Sequence, residues 1–298
     1  MKKITLVTVS MNRNESLVKS FNNNIKLKNV EDAVIVDWSS KEKVESRLSK
    51  NKNLKILRVE NESDWWLTRA YNFGFNFVKT DFILKLDADT ILNLTKFNSQ
   101  NIEEFDLIIF YQNKKEHDVG NFLVKTEVMK KINGFNEYIY GWGWDDHDLL
   151  NRVYKIVPNT KILKLYSSLD KIPHQDSQRV KYNKSKKISN NQNYSYAVKK
   201  AFNQTNSYIA SLNLWDEGSP TEYDDVFCNI KHFYTVKDLN YKIKLFHKLY
   251  FAKTFFSILI PGRVILKRIL PMFFCLLSEN LIFKAIGVNI YPLNKIKK

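Results

Sequence analysis

Residues Thr80 to Leu94 read TDFILKLDADTILNL, and this stretch decides the fold that the sequence predicts. Phe82 to Leu86 form a largely apolar run that is too short for a typical helix and is typical of a buried strand. Side chains two residues apart on an extended chain point to the same side. Asp87 and Asp89 are therefore expected to present two carboxylates together where this strand ends.

This pair of carboxylates fits a site for a divalent cation. Two close carboxylates repel each other unless a cation lies between them. Mg²⁺ and Mn²⁺ take oxygen ligands and commonly bridge a protein carboxylate to a substrate phosphate. The alternative is that Asp87 and Asp89 are solvated side chains that open a turn, and for an isolated Asp-x-Asp sequence this simpler interpretation is favoured.

The composition is that of a folded chain with a large hydrophobic core. The sequence has 298 residues, and 44% of them are hydrophobic, which excludes global disorder. This length allows one large domain, or a domain of about 200 residues with an appendage. Cys228 and Cys275 are far apart, which fits a reducing compartment rather than a disulfide framework. The N-terminal sequence MKKITLVTVSMNR lacks the small-residue cleavage site of a signal peptide.

The first part of the chain alternates between strand-like and helical segments. Strands are predicted at 4–9, 33–36, 54–59 and 82–86, and helices at 15–24, 41–51 and 67–79. This alternation favours a mostly parallel α/β sheet, in which ligands bind outside the carboxyl ends of the strands. Polar clusters lie at three of those ends, at 10–13, 37–40 and 87–89. Their common position strengthens the prediction of a ligand site there.

The second part adds further elements and an unusual aromatic motif. Strands are predicted at 105–111, 121–124 and 161–166, and helices at 126–132, 149–156 and near 194–202. Between them, residues 141–146 read GWGWDD, in which the glycines permit positive φ or close backbone approach. Asp145 and Asp146 also suit the first turn of the helix that follows. That structural interpretation explains the acids but gives no reason for the Trp-Gly-Trp before them.

Together these segments resemble family 2 glycosyltransferases with the GT-A nucleotide-sugar fold. The segments that carry the resemblance are VTVSMNR, VDWSS, RAYNFGFNFVKTDFILKLDADT, INGFNEYIYGWGWDDHDLLNR and PHQ, within roughly residues 1–180. The second half is similar to the C-terminal domain of β-1,4-galactosyltransferases and to bacterial chondroitin-type polymerase domains. The resemblance implies a mixed, mostly parallel sheet flanked by helices.

The resemblance also implies which residues bind the nucleotide. Asp37 would hydrogen-bond the base, and Ser10 and Arg13 would line the nucleotide pocket. Arg69 and Asn72 would lie near the diphosphate or the ribose.

The metal site is implied in the same way. Asp87 would face the ribose or the sugar, and Asp89 would ligate Mn²⁺ or Mg²⁺. His174 matches a late histidine that completes the metal site in this branch, and imidazole suits Mn²⁺ better than Mg²⁺. A lone histidine is more often structural, so the ligand role rests on the resemblance.

The aromatic motif is implied to hold the catalytic groups. Asp146 matches the catalytic base, which takes the proton of the acceptor hydroxyl in an inverting transfer. Asp145 would orient the acceptor or the donor sugar. Trp142, Gly143 and Trp144 would contact the acceptor or sugar, with core packing as the alternative for each tryptophan.

Three residues depart from the pattern of this branch. Trp144 stands where a second glycine is usual, Asp145 stands where a glutamate is usual, and His147 breaks the acidic run. These positions touch the donor and acceptor pocket, so the identity of the sugar is not carried over.

Residues 241–298 are strongly basic. They contain eleven Lys or Arg residues and one acidic residue, Glu279, in a chain whose net charge is +16. Apolar and aromatic residues are interleaved with the cations, which makes a poor membrane-spanning helix. We expect an amphipathic helical tail on an anionic membrane surface. The alternative is a helical subdomain that packs on the rest of the protein or in a dimer interface. No nucleic-acid recognition motif accompanies the charge, so nucleic acid is not an expected partner.

The sequence as a whole predicts a GT-A domain at residues 1–210 and a helical, basic extension at residues 211–298. We expect a metal-dependent, inverting hexosyl- or N-acetylhexosaminyltransferase that uses a nucleotide-sugar donor, with UDP as the favoured nucleotide. Its acceptor would be a glycan or a lipid-linked glycan of a surface polysaccharide. Its expected location is cytoplasmic, peripheral on the cytoplasmic face of the cell membrane.

Two other functions fit parts of the sequence. A GT-A nucleotidyltransferase would use the same fold but gives no reason for the GWGWDD segment. A non-catalytic scaffold that binds glycans or membranes would be indicated by the loss of Asp89, Asp146 or His174, and all three are present.

Overall fold

The computed structural model describes residues 2–48, 52–113, 119–173, 192–213, 215, 220–228 and 231–236. His174 and the basic segment 241–298 lie outside the described residues, so their predicted roles stay predictions.

The first half of the chain follows the predicted alternation of strands and helices. The strands are β1 (Ile4–Ser10), β2 (Val30–Trp38), β3 (Leu54–Val59), β4 (Phe82–Lys85) and β5 (Thr90–Leu92). The helices are α1 (Asn14–Asn24), α2 (Leu67–Phe75) and α3 (Leu94–Asn98). Every residue of β1 and β4 is buried, as expected of strands at the centre of a sheet that is covered on both faces.

The described second half of the chain adds six strands and three α-helices. The strands are β6 (Leu107–Phe110), β7 (Phe122–Lys125), β8 (Ile162–Leu165), β9 (Leu169–Lys171), β10 (Tyr223–Cys228) and β11 (Lys231–Val236). The helices are α4 (Thr126–Lys131), α5 (Asp145–Ile156) and α6 (Gln192–Ser211).

Nine of the strands form one mixed sheet in the order β10-β11-β3-β2-β1-β4-β7-β6-β8. Strands β11, β3, β2, β1 and β4 run parallel to one another, and β6 and β8 are also parallel. Strand β7 is antiparallel to both of its neighbours, and β10 is antiparallel to β11. Strands β5 and β9 form a separate antiparallel pair. The predicted α/β class with a mixed, mostly parallel sheet is confirmed.

Two hydrophobic clusters cover the two faces of this sheet. Alternate side chains of β1 belong to different clusters: Ile4 and Leu6 pack with α1, while Val7 and Val9 pack with α2 and α5. The sheet is therefore the middle layer between helices on its two faces. The carboxyl ends of the parallel strands β1, β2 and β4 lie at the same edge of the sheet.

The prediction of a helix at residues 41–51 is wrong over residues 41–48, the part of this range that the structure describes. Only one 3-10 turn, Val44–Ser46, forms there. The Asp37 carboxylate accepts hydrogen bonds from the backbone N–H groups of Ser40 at 3.1 Å and Val44 at 3.0 Å. These bonds hold the segment against the end of β2 as a loop. Helix α5 also begins at Asp145, earlier than predicted, so both acids of the GWGWDD motif lie in its first turn.

Residues 223–228 and 231–236 belong to the predicted helical extension but form strands β10 and β11 of the central sheet. Strand β11 pairs with β3 through Tyr234 and Val59, and the N–H of Glu60 donates to the carbonyl of Tyr234 at 2.8 Å. Within the described part of the chain, no helix has the length and apolar character needed to cross a membrane.

Candidate active site

A cleft of about 540 Å³ opens at the carboxyl ends of β1 and β4. The predicted site residues that line it are Ser10, Arg13, Asp87, Asp89, Trp142, Gly143, Trp144, Asp145 and Asp146. Residues from the first polar cluster, from the Asp-x-Asp pair and from the GWGWDD motif thus meet in one place. This is the position at which parallel sheets bind ligands.

Asp87, just beyond the end of β4, is held by three hydrogen bonds with Lys85 and Asn121. Its carboxylate accepts hydrogen bonds from Lys85 Nζ at 2.7 Å and from Asn121 Nδ2 at 3.3 Å, and its N–H donates to Asn121 Oδ1 at 2.9 Å. Lys85 Nζ also lies 4.5 Å from the centre of the Tyr71 ring and contacts the carbonyl of Gly120. A buried lysine requires such partners. Lys85 and Tyr71 line the cleft, although the sequence analysis assigned them no role there.

Asp89 forms an ion pair with Arg13 at the cleft wall. Arg13 Nη1 donates to Asp89 Oδ2 at 3.0 Å, and Asp89 is 5% exposed. Carboxylate oxygens suit a hard divalent cation, and the guanidinium holds a positive charge where such a cation would bind. Among the described residues, no three His, Cys, Asp or Glu side chains are grouped to hold a metal. Asp89 would therefore hold a cation with substrate oxygens or with ligands from the remaining chain.

Asp145 and Asp146 reach the cleft from the first turn of α5. The chain enters this helix with positive φ at three positions, 79° at Gly141, 86° at Gly143 and 71° at Trp144. Asp146 Oδ1 accepts a hydrogen bond from the N–H of His147 at 2.8 Å. Burial and the neighbouring Asp146 carboxylate raise the pKa of Asp145 to about 7, and burial raises the pKa of Asp146 as well. A carboxylate with a raised pKa in a cleft is suited to proton transfer.

Solved structures share this fold. The catalytic domain of Drosophila β1,4-galactosyltransferase 7 in complex with xylobiose matches with a TM-score of 0.53 at 14% identity, over 83% of this chain and 99% of that one. A mutant of the same enzyme in complex with manganese, UDP-Gal and xylobiose matches with a TM-score of 0.52 at 13% identity, over 83% and 99% of the two chains. At these identities the similarity concerns the fold.

Two family models match successive parts of the sequence. One, described as glycosyl transferase family 2, matches residues 5–100, and the other, described as the N-terminal domain of galactosyltransferase, matches residues 105–175. The predicted resemblance to family 2 glycosyltransferases is therefore confirmed, and the chain has the GT-A fold. No curated protein sequence matches it.

Ser10 lies at the cleft, whereas Asp37 does not line it. The Ser10 hydroxyl is buried and has no hydrogen-bond partner among the described residues, which leaves it available to a ligand. Asp37 is saturated by Arg58 Nη1 at 2.8 Å and by two backbone N–H groups of the following loop. In the structure Asp37 therefore holds the loop after β2, and its predicted contact with the base stays a prediction.

Arg69 and Asn72 are buried and absent from the cleft lining, and their predicted place near the diphosphate or the ribose stays a prediction. Arg69 stacks 3.7 Å from the Trp66 ring, and its Nε is 3.9 Å from Glu137 Oε2. Asn72 donates to Phe135 O at 2.8 Å and to Glu137 Oε1 at 2.9 Å, and it accepts from the N–H of Phe135 at 2.7 Å. These side chains fix the turn that leads to the GWGWDD loop.

Replacing Asn72 by alanine is expected to lower the free energy of unfolding by roughly 2–4 kcal/mol, because buried groups of Phe135 and Glu137 lose their partners. The measurement is urea unfolding followed by circular dichroism. Asn76→Ala is the matched control, since Asn76 is exposed where the same helix ends. A loss of nucleotide binding without a loss of stability would instead favour the predicted contact with the diphosphate.

The aromatic residues divide between the cleft and the core. Trp142 and Trp144 line the cleft, and the Trp144 ring lies 5.3 Å from the His147 ring. Trp65 also lines the cleft while packing against the core at its base. Trp66 is fully buried and packs edge-on against Tyr140 at 4.7 Å. Trp144 has a φ of 71°, a conformation that glycine adopts more readily than tryptophan.

Helix α6 supplies residues that the sequence analysis did not find. Asn203 lines the cleft, Asn206 bonds the backbone of the GWGWDD loop, and Lys199 Nζ lies 5.1 Å from the Trp142 ring. The helix was predicted near residues 194–202, but its sequence gave no motif that pointed to the site. Asn203 and Asn206 lie about one helical turn apart, and this spacing was the available sequence signal that one face of the helix is polar.

Because the pKa of Asp145 is raised, replacing its carboxylate is expected to increase thermal stability at high pH but not at low pH. Its ordinary value is 3.8, so the folded protein binds a proton more tightly than the unfolded chain between about pH 4 and pH 7. Stability is lost as the pH rises through this window. Asp145→Asn is therefore expected to raise the Tm at pH 8 and to leave it unchanged below pH 4, as measured by differential scanning fluorimetry without nucleotide or metal.

Asp170→Asn, at an exposed position of β9, is the control and is expected to show no such trend. An equal Tm difference for Asp145→Asn at both pH values would show that its carboxylate is not destabilised by burial.

Proposed function

We propose that this glycosyltransferase transfers a sugar from a UDP-sugar to a hydroxyl group of a glycan acceptor, with inversion at the anomeric carbon and with a divalent cation held at Asp89. The observation that carries the proposal is the shared cleft, in which Asp87 and Asp89 lie with Asp145 and Asp146. One solved structure of the same fold contains manganese and UDP-Gal, which supports UDP as the nucleotide and Mn²⁺ or Mg²⁺ as the cation.

Asp146 is proposed to act as the catalytic base. An inverting transfer requires a group that takes the proton of the attacking hydroxyl. The hydrogen bond from the His147 N–H to Asp146 Oδ1 fixes the carboxylate at the start of α5. Burial raises the pKa of Asp146, which makes it a stronger base than an exposed aspartate. Asp145 beside it is proposed to orient the acceptor or the donor sugar through hydrogen bonds.

Arg13 and Ser10 are proposed to bind the nucleotide. The cation, when bound, would neutralise the negative charge that develops on the departing diphosphate. Arg13 already lies beside Asp89 and is placed to contact the same diphosphate through charge-assisted hydrogen bonds. The partnerless hydroxyl of Ser10 is proposed to bond the nucleoside.

The ring faces of Trp142 and Trp144 are proposed to contact the sugars. Both line the cleft immediately before the two acids of α5. A sugar stacked there would place its hydroxyl groups close to Asp145 and Asp146. Because Trp144 and His147 differ from the usual residues of similar sequences, the proposal covers hexosyl and N-acetylhexosaminyl donors alike.

The proposed function is tested by donor turnover. UDP-Gal, UDP-Glc, UDP-GalNAc and UDP-GlcNAc are each incubated with the protein, and the UDP released is measured with Mn²⁺, with Mg²⁺ and with EDTA. Turnover of one donor that stops in EDTA is the expected result. UDP binding without turnover of any donor, even with mixed oligosaccharide acceptors, would favour the non-catalytic scaffold. Release of pyrophosphate from UTP and a sugar phosphate would favour a nucleotidyltransferase.

The acceptor is proposed to be a lipid-linked precursor of a surface polysaccharide at the cytoplasmic face of the membrane. This part rests on the sequence of residues 241–298, in which cations are interleaved with apolar residues. An anionic bilayer attracts such a segment by about 1 kcal/mol for each Lys or Arg near the surface.

Removing residues 241–298 is expected to abolish co-sedimentation with vesicles that contain anionic phosphatidylglycerol. Because β11 ends at Val236, the truncation preserves the described sheet, and UDP binding is expected to persist. Vesicles of neutral phosphatidylcholine are the control and should not retain either protein. Unchanged sedimentation of the truncated protein with anionic vesicles would refute the membrane role.

A further inference from the structure

Helix α6 packs closely against the loop that carries the chain into α5. A Cβ atom added to Gly141 would lie 2.3 Å from the Phe202 ring, and one added to Gly143 would lie 2.9 Å from Asn203 Oδ1. Real Cβ atoms essentially never lie within 3.0 Å of another heavy atom. Gly141 is therefore needed for the contact with α6 as well as for its positive φ, whereas the amide end of Asn203 can move to admit a Cβ at Gly143.

Asn206 forms the hydrogen bonds between α6 and this loop. Its Nδ2 donates to the carbonyl oxygens of Gly143 at 2.8 Å, Tyr140 at 3.0 Å and Trp142 at 3.3 Å. Its Oδ1 accepts from the N–H of Tyr140 at 3.3 Å. Asn206 is fully buried, and its partners lie more than 60 residues earlier in the chain.

The loop requires such a support because its backbone is strained. Trp144 has φ of 71°, a conformation that a bulky residue with a Cβ rarely adopts, and it directly precedes Asp145. Strained conformations persist only where the surroundings hold them. Because Gly143 O is fixed by Asn206, the peptide that leads into Trp144 is fixed too. The direction in which α5 presents its first two carboxylates depends on that peptide.

We propose that Asn206 is a positioning residue for sugar transfer, which holds the Tyr140–Trp144 loop so that α5 presents Asp146 to the acceptor hydroxyl. The proposal rests on the proposed function for the identity of the reaction. Asn206 itself is absent from the cleft lining and acts through the loop. A misplacement of a catalytic group by about 1 Å costs on the order of 100-fold in rate.

The test compares Asn206→Ala and Asn206→Ser with Thr205→Val. Thr205 is the neighbouring residue of α6, is equally buried, and bonds only Ala201 of its own helix among the hydrogen bonds described. Asn206→Ala removes all side-chain bonds to the loop. Asn206→Ser keeps a small hydroxyl and provides a second variant if the alanine variant does not fold.

Three quantities are measured in the full-length protein: amide hydrogen exchange of residues 140–147, the Kd for UDP in the presence of Mn²⁺, and the turnover of the UDP-sugar that the wild type uses. We expect exchange in the loop to rise at least about tenfold in the Asn206 variants and turnover to fall about 30- to 100-fold. The Kd for UDP should change less than about twofold, because Ser10, Arg13 and Asp89 are untouched. Thr205→Val should leave all three values near those of the wild type.

Wild-type loop exchange in a folded Asn206 variant would overturn the proposal. An equal fall in turnover for Thr205→Val would also overturn it, because the effect would then be general to α6. If the wild-type protein neither binds UDP nor turns over any donor, the proposed function fails. The exchange of the loop in the Asn206 variants then decides by itself whether Asn206 positions α5.

Discussion

Asp146→Asn is expected to lower the rate of sugar transfer by about 10²- to 10⁴-fold, the range that general base catalysis contributes. Asparagine has the shape of aspartate and keeps an oxygen for the N–H of His147, so α5 should retain its start. It cannot take the proton of the acceptor hydroxyl. The Kd for UDP should stay within about twofold of the wild type, since the change lies on the opposite side of the reaction from the leaving nucleotide. Initial rates of UDP release measure the effect.

Asp170→Asn provides the control for this variant. Asp170 lies at an exposed position of β9 and is absent from the cleft lining, so its amide variant should transfer sugar at the wild-type rate. Near wild-type transfer by Asp146→Asn would show that another group is the base.

Asp89→Asn is expected to lower donor turnover at least about 100-fold, which corresponds to about 2.7 kcal/mol of lost transition-state stabilisation. The structural reason is that Asp89 is the carboxylate at the end of β4 that would hold the cation beside the diphosphate. The fold should survive, because its partner Arg13 has a side chain that is 27% exposed and keeps access to water. The decisive readout is the ratio of the UDP Kd values with and without Mn²⁺, which should fall to about one.

Asp81→Asn is the matched control, since Asp81 lies at the opposite end of the same strand and is exposed. Its ratio of Kd values should equal that of the wild type. An Asp89→Asn variant that still gains UDP affinity from Mn²⁺ would place the cation on other residues. His174, which lies beyond the described residues, would then be the next position to examine.

The position of the site could be predicted because it depends on strand ends. A buried apolar run followed by Asp-x-Asp, and a glycine-rich run followed by two acids, each place carboxylates where an element begins or ends. The geometry of a parallel sheet then brings Asp87, Asp89, Asp145 and Asp146 to the same edge. Motif order along the chain was sufficient for this.

The contacts of individual polar residues could not be predicted in the same way. Asn72 and Arg69 belong to a helix next to the site, but their side chains face the Asn133–Glu137 turn and the Trp66 ring. Which way a side chain faces depends on the packing of α2 against segments more than 60 residues away. Asp37 is a similar case, because Arg58 and the loop backbone saturate its carboxylate.

The contributions of Lys85 and of α6 to the site were not predicted, for a different reason. Lys85 lies within an apolar run, and its burial becomes favourable only through Asp87 and Tyr71, which the fold brings next to it. Helix α6 follows a stretch rich in Lys, Asn, Ser and Gln, whose composition resembles that of a polar loop. Strands β10 and β11 contain several Tyr, Phe and Val residues, which favour strands, but they lack a clear alternation of apolar residues and were not predicted.

The cleft at the ends of β1 and β4 is proposed to bind a nucleoside diphosphate together with a divalent cation. Isothermal titration calorimetry of UDP into the wild-type protein and into Asp89→Asn, each with Mn²⁺ and with EDTA, tests this binding. Mn²⁺ is expected to strengthen UDP binding to the wild type at least about tenfold and to have no effect on binding to the variant. Binding of UDP with the same Kd in all four titrations, or no binding to a folded wild-type protein, would contradict this proposal.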